Sequence, residues 1–235
     1  MTNAVGVLVL AGPKARDVLQ KLTRTDLSSA SFPWLSAKQI DVNLAPSVAA
    51  RVNFVGELGW ELHHPIEYQN HIFDALMSAG VEFGLKPFGI RAMDAMRLEK
   101  SYRMVGTEMS IEYAALESGL DRFVHLQKPD FIGRSGLLAW QEKGFANSFV
   151  TLAVKDTTDR DVIGGNPIYK EGKLIGRATS GGYGFRIGKS LALAMVAPDC
   201  TDIGTSLEID ILGDRFAAEI VEESPFDPAN ERLRV

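Results

Sequence analysis

Six short apolar runs in the C-terminal part of the chain constrain its fold more than any other feature. They follow a linker-like stretch at residues 144–147 and are separated by turns rich in Gly, Asp and Pro. Regularly spaced short strands of this kind are typical of a small β-barrel or sandwich. We therefore predict a C-terminal antiparallel β-barrel domain over residues 146–235. The runs cover residues 149–154, 167–169, 173–179, 191–196, 206–211 and 215–220.

Residues 1–145 combine strand and helix patterns. The continuous apolar run at residues 5–10 predicts a buried strand that needs neighbouring strands. Apolar residues at helical spacing follow Pro13, and two more helices are predicted at residues 65–79 and 90–99. The order of elements favours an α+β domain whose helices cover one face of an antiparallel sheet. Strands are predicted at residues 38–44, 49–55 and 60–63, partial helix at 109–120, a short strand at 123–126 and a short helix ending at Trp140.

Composition excludes several classes of function. Among the 235 residues, 46% are hydrophobic and 23% are charged, which is enough apolar material for a sizeable core. The net charge of −5 argues against non-specific binding to nucleic acid or acidic membranes. A single cysteine, Cys200, excludes an internal disulfide and a cysteine-based zinc site, and favours a reducing, cytoplasmic location. The sequence predicts no membrane span and no signal peptide.

Residues 51–65, RVNFVGELGWELHHP, place a carboxylate in an apolar β environment. The pattern predicts two strands joined by a tight glycine turn, with Glu61 on the face opposite to Trp60 and Leu62. A carboxylate that is partly buried needs a partner, because burying it alone is costly. A heterocyclic ligand with two N–H donors would satisfy it. An exposed hairpin glutamate or a structural ion pair remains the alternative.

Three other patterns are weaker candidates for sites. Asp94 and Arg97 are spaced to pair on one helix face, either as a solvated surface pair or near an anionic ligand at the first turn of that helix. Residues 179–184, TSGGYG, superficially resemble a phosphate loop but lack the spacing of one, and a barrel turn explains them better. His63, His64 and His71 lie close in sequence without an acid at ligand spacing, so no metal site is assigned.

Several phrases, taken together and in order, resemble the folate-binding aminomethyltransferases. These phrases are RVNFVGELGWELHHP, IRAMDAMRLEKSYRMVGTEM, DFIGRSGL, RATSGGYGFRIGKSLALAMV and SPFDPANERLRV. The family includes the T protein of the glycine cleavage system and the C-terminal part of dimethylglycine and sarcosine dehydrogenases. The phrases RLEKSYR and DPANERLR are closer to the dehydrogenase-type members. The resemblance covers nearly the whole chain.

The resemblance implies a fold, a cofactor and roles for four residues. It implies ferredoxin-like α/β sandwich domains followed by a C-terminal barrel, and tetrahydrofolate as the cofactor. Glu61 matches the family glutamate that binds the pterin ring, and Phe54 stands where a tyrosine that contacts the pterin is usual. Tyr102 matches a tyrosine near the folate. Arg91 lies two positions from Met93, which replaces the family arginine at the folate tail, and Arg91 is the candidate substitute.

The family pattern extends upstream of Met1, and its catalytic aspartate lies in that upstream part. No aspartate here sits in a matching motif, so no catalytic residue is assigned. We therefore expect tetrahydrofolate-dependent aminomethyl transfer from a small amine-derived substrate, with a truncated or split enzyme that needs an N-terminal complementing chain or a homodimer. The alternatives are a non-catalytic folate-binding or scaffolding module of an amine dehydrogenase, and a demethylase acting on a sulfur substrate.

Overall fold

The computed structural model describes residues 3–157 and 159–235. The helices described there are α1 (Ala15–Gln20), α2 (Gln69–Gly80), α3 (Ile90–Leu98), α4 (Arg134–Lys143) and α5 (Glu231–Arg234). The strands are β1 (Val5–Ala11), β2 (Ala37–Val42), β3 (Ala45–Ala50), β4 (Gly59–Pro65), β5 (Ser148–Val154), β6 (Pro167–Lys170), β7 (Lys173–Gly184), β8 (Lys189–Val196), β9 (Ser206–Ile211) and β10 (Asp214–Val221). No helix in this part of the chain is long and apolar enough to cross a bilayer.

The chain forms two compact units. The first comprises the chain up to Asp94 together with Asp227–Val235, and the second is Ala95–Phe226. The first unit contains a four-stranded antiparallel sheet in the order β1-β4-β3-β2. Helices α1 and α2 pack on one another, α2 contacts β1 and α1 contacts β4. The predicted α+β sheet with helices over it is therefore confirmed.

The strand β1 is buried on only one of its faces. Leu10 belongs to the core of the first unit, whereas Val7 and Val9 are each 45% exposed. The strand predicted at residues 5–10 is confirmed, but its predicted burial holds for one face only. Apolar residues occupy both faces of β1, so the sequence shows a continuous apolar run even though β1 is an edge strand of the sheet.

The second unit contains the predicted barrel. Six antiparallel strands close it in the order β10-β5-β8-β7-β6-β9. Alternate residues such as Leu152, Ala192, Ala194 and Ile209 are fully buried in its core. All six short apolar runs are barrel strands, which confirms the prediction made from their spacing.

The glycine-rich stretch at residues 179–184 is a strand and not a turn. It forms the end of β7, where Gly181 pairs with Ala192 and Gly182 pairs with Leu191 of β8. A Cβ atom on Gly181 would lie 2.5 Å from Cβ of Val162, so glycine is required by close packing. The predicted barrel turn falls later, and β8 begins at Lys189, directly after Gly188.

The segment between α3 and α4 contains no regular helix beyond a short 3₁₀ turn at Asp121–Phe123. The helix predicted at residues 109–120 and the strand predicted at 123–126 were therefore wrong. Buried carboxylates organise this segment instead. Glu117 accepts hydrogen bonds from the backbone N–H groups of Ala114 (2.9 Å) and Asn147 (3.0 Å). Such local side-chain acceptors give the backbone an alternative to helical hydrogen bonds.

Glu108 is the most enclosed of these carboxylates, with no solvent exposure. It accepts hydrogen bonds from the hydroxyls of Thr107, Thr179 and Ser180 and from the backbone N–H of Met104. Burial alone would raise the pKa of Glu108, but the hydrogen bonds from Ser180, Thr107, Thr179 and Met104 outweigh it and hold the pKa below its usual range. Glu108 thus joins the loop after α3 to strand β7.

Replacing Glu108 with Gln is expected to lower the free energy of unfolding by about 2–3 kcal/mol at neutral pH, because several hydrogen bonds to a charged acceptor are lost. A carboxyl group whose pKa is lowered by folding stabilises the protein above its unfolded pKa of about 4.3, and this contribution is lost as the pH falls through the folded pKa. The difference between wild type and E108Q should therefore shrink on acidification, as urea unfolding at a series of pH values would measure.

The exposed Glu142 on α4 supplies a matched control for this comparison. The variant E142Q should unfold within about 0.5 kcal/mol of wild type at every pH. A pH-independent gap between wild type and E108Q would contradict the assigned role of the Glu108 carboxylate.

Candidate functional site

Strand β4 carries the acid that the sequence singles out. Trp60 and Leu62 are fully buried in the core beneath α1 and α2, so the intervening Glu61 projects from the opposite face of the sheet. Its Cα is in register with Val9 of β1 and with Ala50 of β3. The predicted orientation of Glu61 relative to Trp60 and Leu62 is confirmed.

The residues before β4 form a loop, so the strand predicted at residues 49–55 as the first strand of a tight hairpin was wrong beyond Ala50. Strand β3 ends at Ala50, and no strand covers residues 51–58. The side chain of Asn53 accepts hydrogen bonds from the backbone N–H groups of Val55 (3.0 Å) and Gly56 (3.1 Å). Gly56 adopts a φ of 73°, which favours glycine. The asparagine side chain therefore replaces the ladder partner that a strand would have used.

A buried guanidinium anchors the start of this loop. Arg51 is 1% exposed and lies 5.8 Å from the centre of the Trp60 ring. It donates hydrogen bonds to the carbonyl oxygens of Phe32 (2.7 Å) and Leu233 (3.2 Å). Burial and the nearby Arg16 lower the pKa of Arg51. Arg51 thus ties the loop to the core of the first unit and to helix α5.

The loop, β1, α2 and the segment leading into α3 line a cavity of about 390 Å³, here called the Glu61 pocket. Among the described residues that line it, Glu61 and Lys86 are the ionisable ones. The remaining lining is mainly apolar, and the aromatic members are Phe54, Phe73 and Phe88. A cavity of this size, apolar with few polar groups, is typical of a small-molecule site.

Among the described residues, one side chain contacts the carboxylate of Glu61. Nε2 of His63 lies 3.2 Å from Oε2 of Glu61, and both side chains are partly exposed. An ionised carboxylate has no proton to donate, so Nε2 of His63 is the donor in this contact. No described residue donates a hydrogen bond to Oε1. The pocket is thus left with one carboxylate oxygen that has no protein donor, while a histidine holds the other.

The structure brings some of the predicted site residues together. Phe54 and Glu61 line the same pocket, and Met93 lines it as well. Arg91 is exposed on the first turn of α3 and is not among the lining residues. Tyr102 belongs to the second unit, where its carbonyl accepts a hydrogen bond from Arg97 (3.1 Å).

Lys86 lines the pocket although no sequence pattern singled it out. It lies in the irregular segment between α2 and α3, where neither helical nor strand periodicity applies. Only its position next to Pro87, in a stretch broken by Gly84 and Gly89, marks it as a residue of a turn near a helix start.

The other candidate sites are structural. Arg97 is fully buried, so the solvated surface pair expected for it was wrong, and it lies 3.4 Å from Glu108. His64 is buried and contacts the carbonyl of Leu62 and Oε1 of Gln69, each at 2.9 Å. Within residues 3–157 and 159–235, no group of three or more His, Cys, Asp or Glu side chains has the arrangement of a metal site.

Comparisons with known proteins identify the family of the chain. Residues 1–128 match the family model of the GCVT N-terminal domain, and residues 147–227 match that of the glycine cleavage T-protein C-terminal barrel domain. Human mitochondrial dimethylglycine dehydrogenase is 43% identical over 237 residues, which cover 100% of this chain and 27% of that protein. An aminomethyltransferase of Desulfitobacterium hafniense is 34% identical, over 91% of this chain and 58% of that protein.

A solved structure shares the fold. The glycine cleavage system aminomethyltransferase T from Bartonella henselae superposes with a TM-score of 0.83 at 21% identity, over 95% of this chain and 60% of that one. The chain thus spans between about a quarter and three fifths of the length of these relatives. With both family models matched in order along the sequence, the chain belongs to the glycine cleavage T-protein family.

Proposed function

We propose that this chain supplies the tetrahydrofolate-binding part of a folate-dependent aminomethyl transfer. The observation that carries the proposal is Glu61, which lies among mainly apolar residues on the wall of the Glu61 pocket, with one carboxylate oxygen that no described protein donor contacts. Membership of the T-protein family supports folate-dependent aminomethyl transfer as the class of reaction.

The pocket suits a pterin ring in shape and in chemistry. A pterin is a flat bicyclic ring that presents an amino group and a ring N–H on one edge. A carboxylate such as Glu61 accepts both donors side by side, which fixes the orientation of the ring as well as its position. Phe54 and Met93 would pack against the faces of the ring. Phe54 supplies this packing without the hydroxyl of the tyrosine that is usual at its position.

The outer part of the pocket supports contact with a larger ligand. Phe73 and Phe88 are 41% and 44% exposed, and Ile90 at the start of α3, which lines the same pocket, is 77% exposed. Exposed apolar side chains that cluster around a cavity are typical of a binding surface. We assign Arg91, together with Lys86 five positions earlier in the chain, to the carboxylates of the folate tail.

The residues described here bind and orient, and none is assigned to proton transfer. Tetrahydrofolate supplies the nitrogen N5 that accepts the one-carbon unit. Glu61 would set the position of that nitrogen by holding the far edge of the ring, and Phe54 would exclude water from one side of it. Tyr102 is assigned to the folate site on family resemblance. Reaction with an amine-derived substrate would use a partner, either an N-terminal complementing chain or a second copy of this chain.

Replacing Glu61 with Gln is expected to weaken tetrahydrofolate binding by roughly tenfold to a hundredfold, because charge-assisted hydrogen bonds to the pterin edge are lost. Isothermal titration under anaerobic conditions would measure the change. The variant E67Q is the matched control, since Glu67 is an exposed glutamate six positions further along the chain. It should bind as wild type does. Equal affinities of wild type and E61Q, or no binding by wild type, would refute the proposal.

Replacing Arg91 with Ala tests the assignment of the folate tail. The expected result is severalfold weaker binding of tetrahydrofolate with unchanged binding of tetrahydrobiopterin, which has the pterin ring but no glutamate tail. A guanidinium that pairs with a carboxylate acts on the tail alone. Comparable losses for both ligands would show that Arg91 supports the pocket itself, and no loss for either would remove Arg91 from the site.

A further inference from the structure

We infer that His63 is a positioning residue for Glu61, and this inference rests on the proposed function of the Glu61 pocket. The two side chains project from the same face of β4, because they are two residues apart in a strand. Nε2 of His63 lies 3.2 Å from Oε2 of Glu61. Since the carboxylate is the acceptor, the imidazole N–H holds one of its two oxygens in place.

His63 acts on the carboxylate from outside the pocket. Glu61 lines the Glu61 pocket, whereas His63 does not. It lines a separate surface depression instead, together with Gln39 and Asp41 of β2. A ligand in the Glu61 pocket would therefore meet the carboxylate of Glu61, with the imidazole behind it. His63 is assigned no direct contact with the ligand.

Two apolar residues of the neighbouring strands flank His63 on the sheet. On the sheet, His63 is in register with Val7 of β1 on one side and with Val48 of β3 on the other. Val7 and Val48 project from the same face as His63, and β-branched side chains are stiff. His63 thus lies between two apolar neighbours in the sheet, with Nε2 3.2 Å from Oε2 of Glu61.

This arrangement matters because a glutamate side chain has considerable rotamer freedom. When a ligand binds a freely rotating glutamate, the loss of side-chain conformational entropy weakens the binding. A carboxylate that is already oriented before the ligand arrives therefore binds that ligand more tightly. With Oε2 held by His63, Oε1 and the remaining lone pair of Oε2 face the ligand in one arrangement. His63 thereby makes Glu61 a preorganised acceptor for the two donors of a pterin edge.

The test compares H63F with H63Q by titration with tetrahydrofolate. Phe fills the space of the imidazole but donates no hydrogen bond, and H63F should bind roughly tenfold more weakly than wild type. The amide nitrogen of Gln reaches to about the position of Nε2, so H63Q should recover most of the affinity. The exposed His71 on α2 provides the control, and H71F should bind as wild type does.

A double variant separates positioning from general damage to the pocket. If His63 acts through Glu61, adding H63F to E61Q should change the affinity by less than twofold beyond E61Q alone. Independent, multiplying losses would overturn the inference. An affinity of H63F for tetrahydrofolate equal to that of wild type would also overturn the inference.

Failure of this inference differs from failure of the proposed function. If wild type binds tetrahydrofolate and E61Q does not, while H63F binds as wild type does, only the role of His63 is wrong. If wild type does not bind tetrahydrofolate, both the proposed function and the inferred role of His63 are wrong. A further readout needs no ligand: the imidazole carbon–proton resonances of His63 should move in E61Q and stay in place in E67Q, and unmoved resonances in both would overturn the contact itself.

Discussion

The alternation of side chains along strand β4 is the constraint on which the candidate site depends. Trp60 and Leu62 are buried in the core under α1 and α2, so Glu61 and His63 must project from the opposite face of the strand. A shift of register by one residue would bury both polar side chains and expose a tryptophan. The energy that holds the acid in position is therefore the burial of its two apolar neighbours, and the acid itself contributes little to folding.

Polar interactions organise the parts of the chain where regular structure is absent. Asn53 shapes the loop that carries Phe54, and the buried carboxylates of Glu108 and Glu117 shape the segment between α3 and α4. In each case a side chain satisfies backbone N–H groups that no helix or strand pairs. Glu108 has a full set of protein donors, whereas Glu61 retains an oxygen without one, and that difference separates a structural carboxylate from a candidate ligand-binding one.

Errors in the sequence predictions share a physical origin. The helix expected at residues 109–120 and the strand expected through Val55 were read from local apolar patterns. In both stretches a side chain accepts a hydrogen bond from a backbone N–H group: Glu117 accepts one from Ala114, and Asn53 accepts one from Val55. The glycines at residues 181 and 182 were read as a turn because glycine favours turns, but both pair with β8 within a strand, and close packing against Val162 requires glycine at position 181. Local patterns do not contain these contacts.

The sequence by itself determined the six barrel strands, the helices over the sheet and the face on which Glu61 lies, because periodicity of two or of 3.6 residues is a local property. It also carried the ordered phrases that mark the T-protein family. Only the tertiary structure decided that Phe54, Lys86 and Met93 surround Glu61 in one pocket and that His63 holds the carboxylate of Glu61. Those facts depend on where an irregular loop and the segment before α3 pass beside strand β1, and such paths are set by packing between residues far apart in the chain.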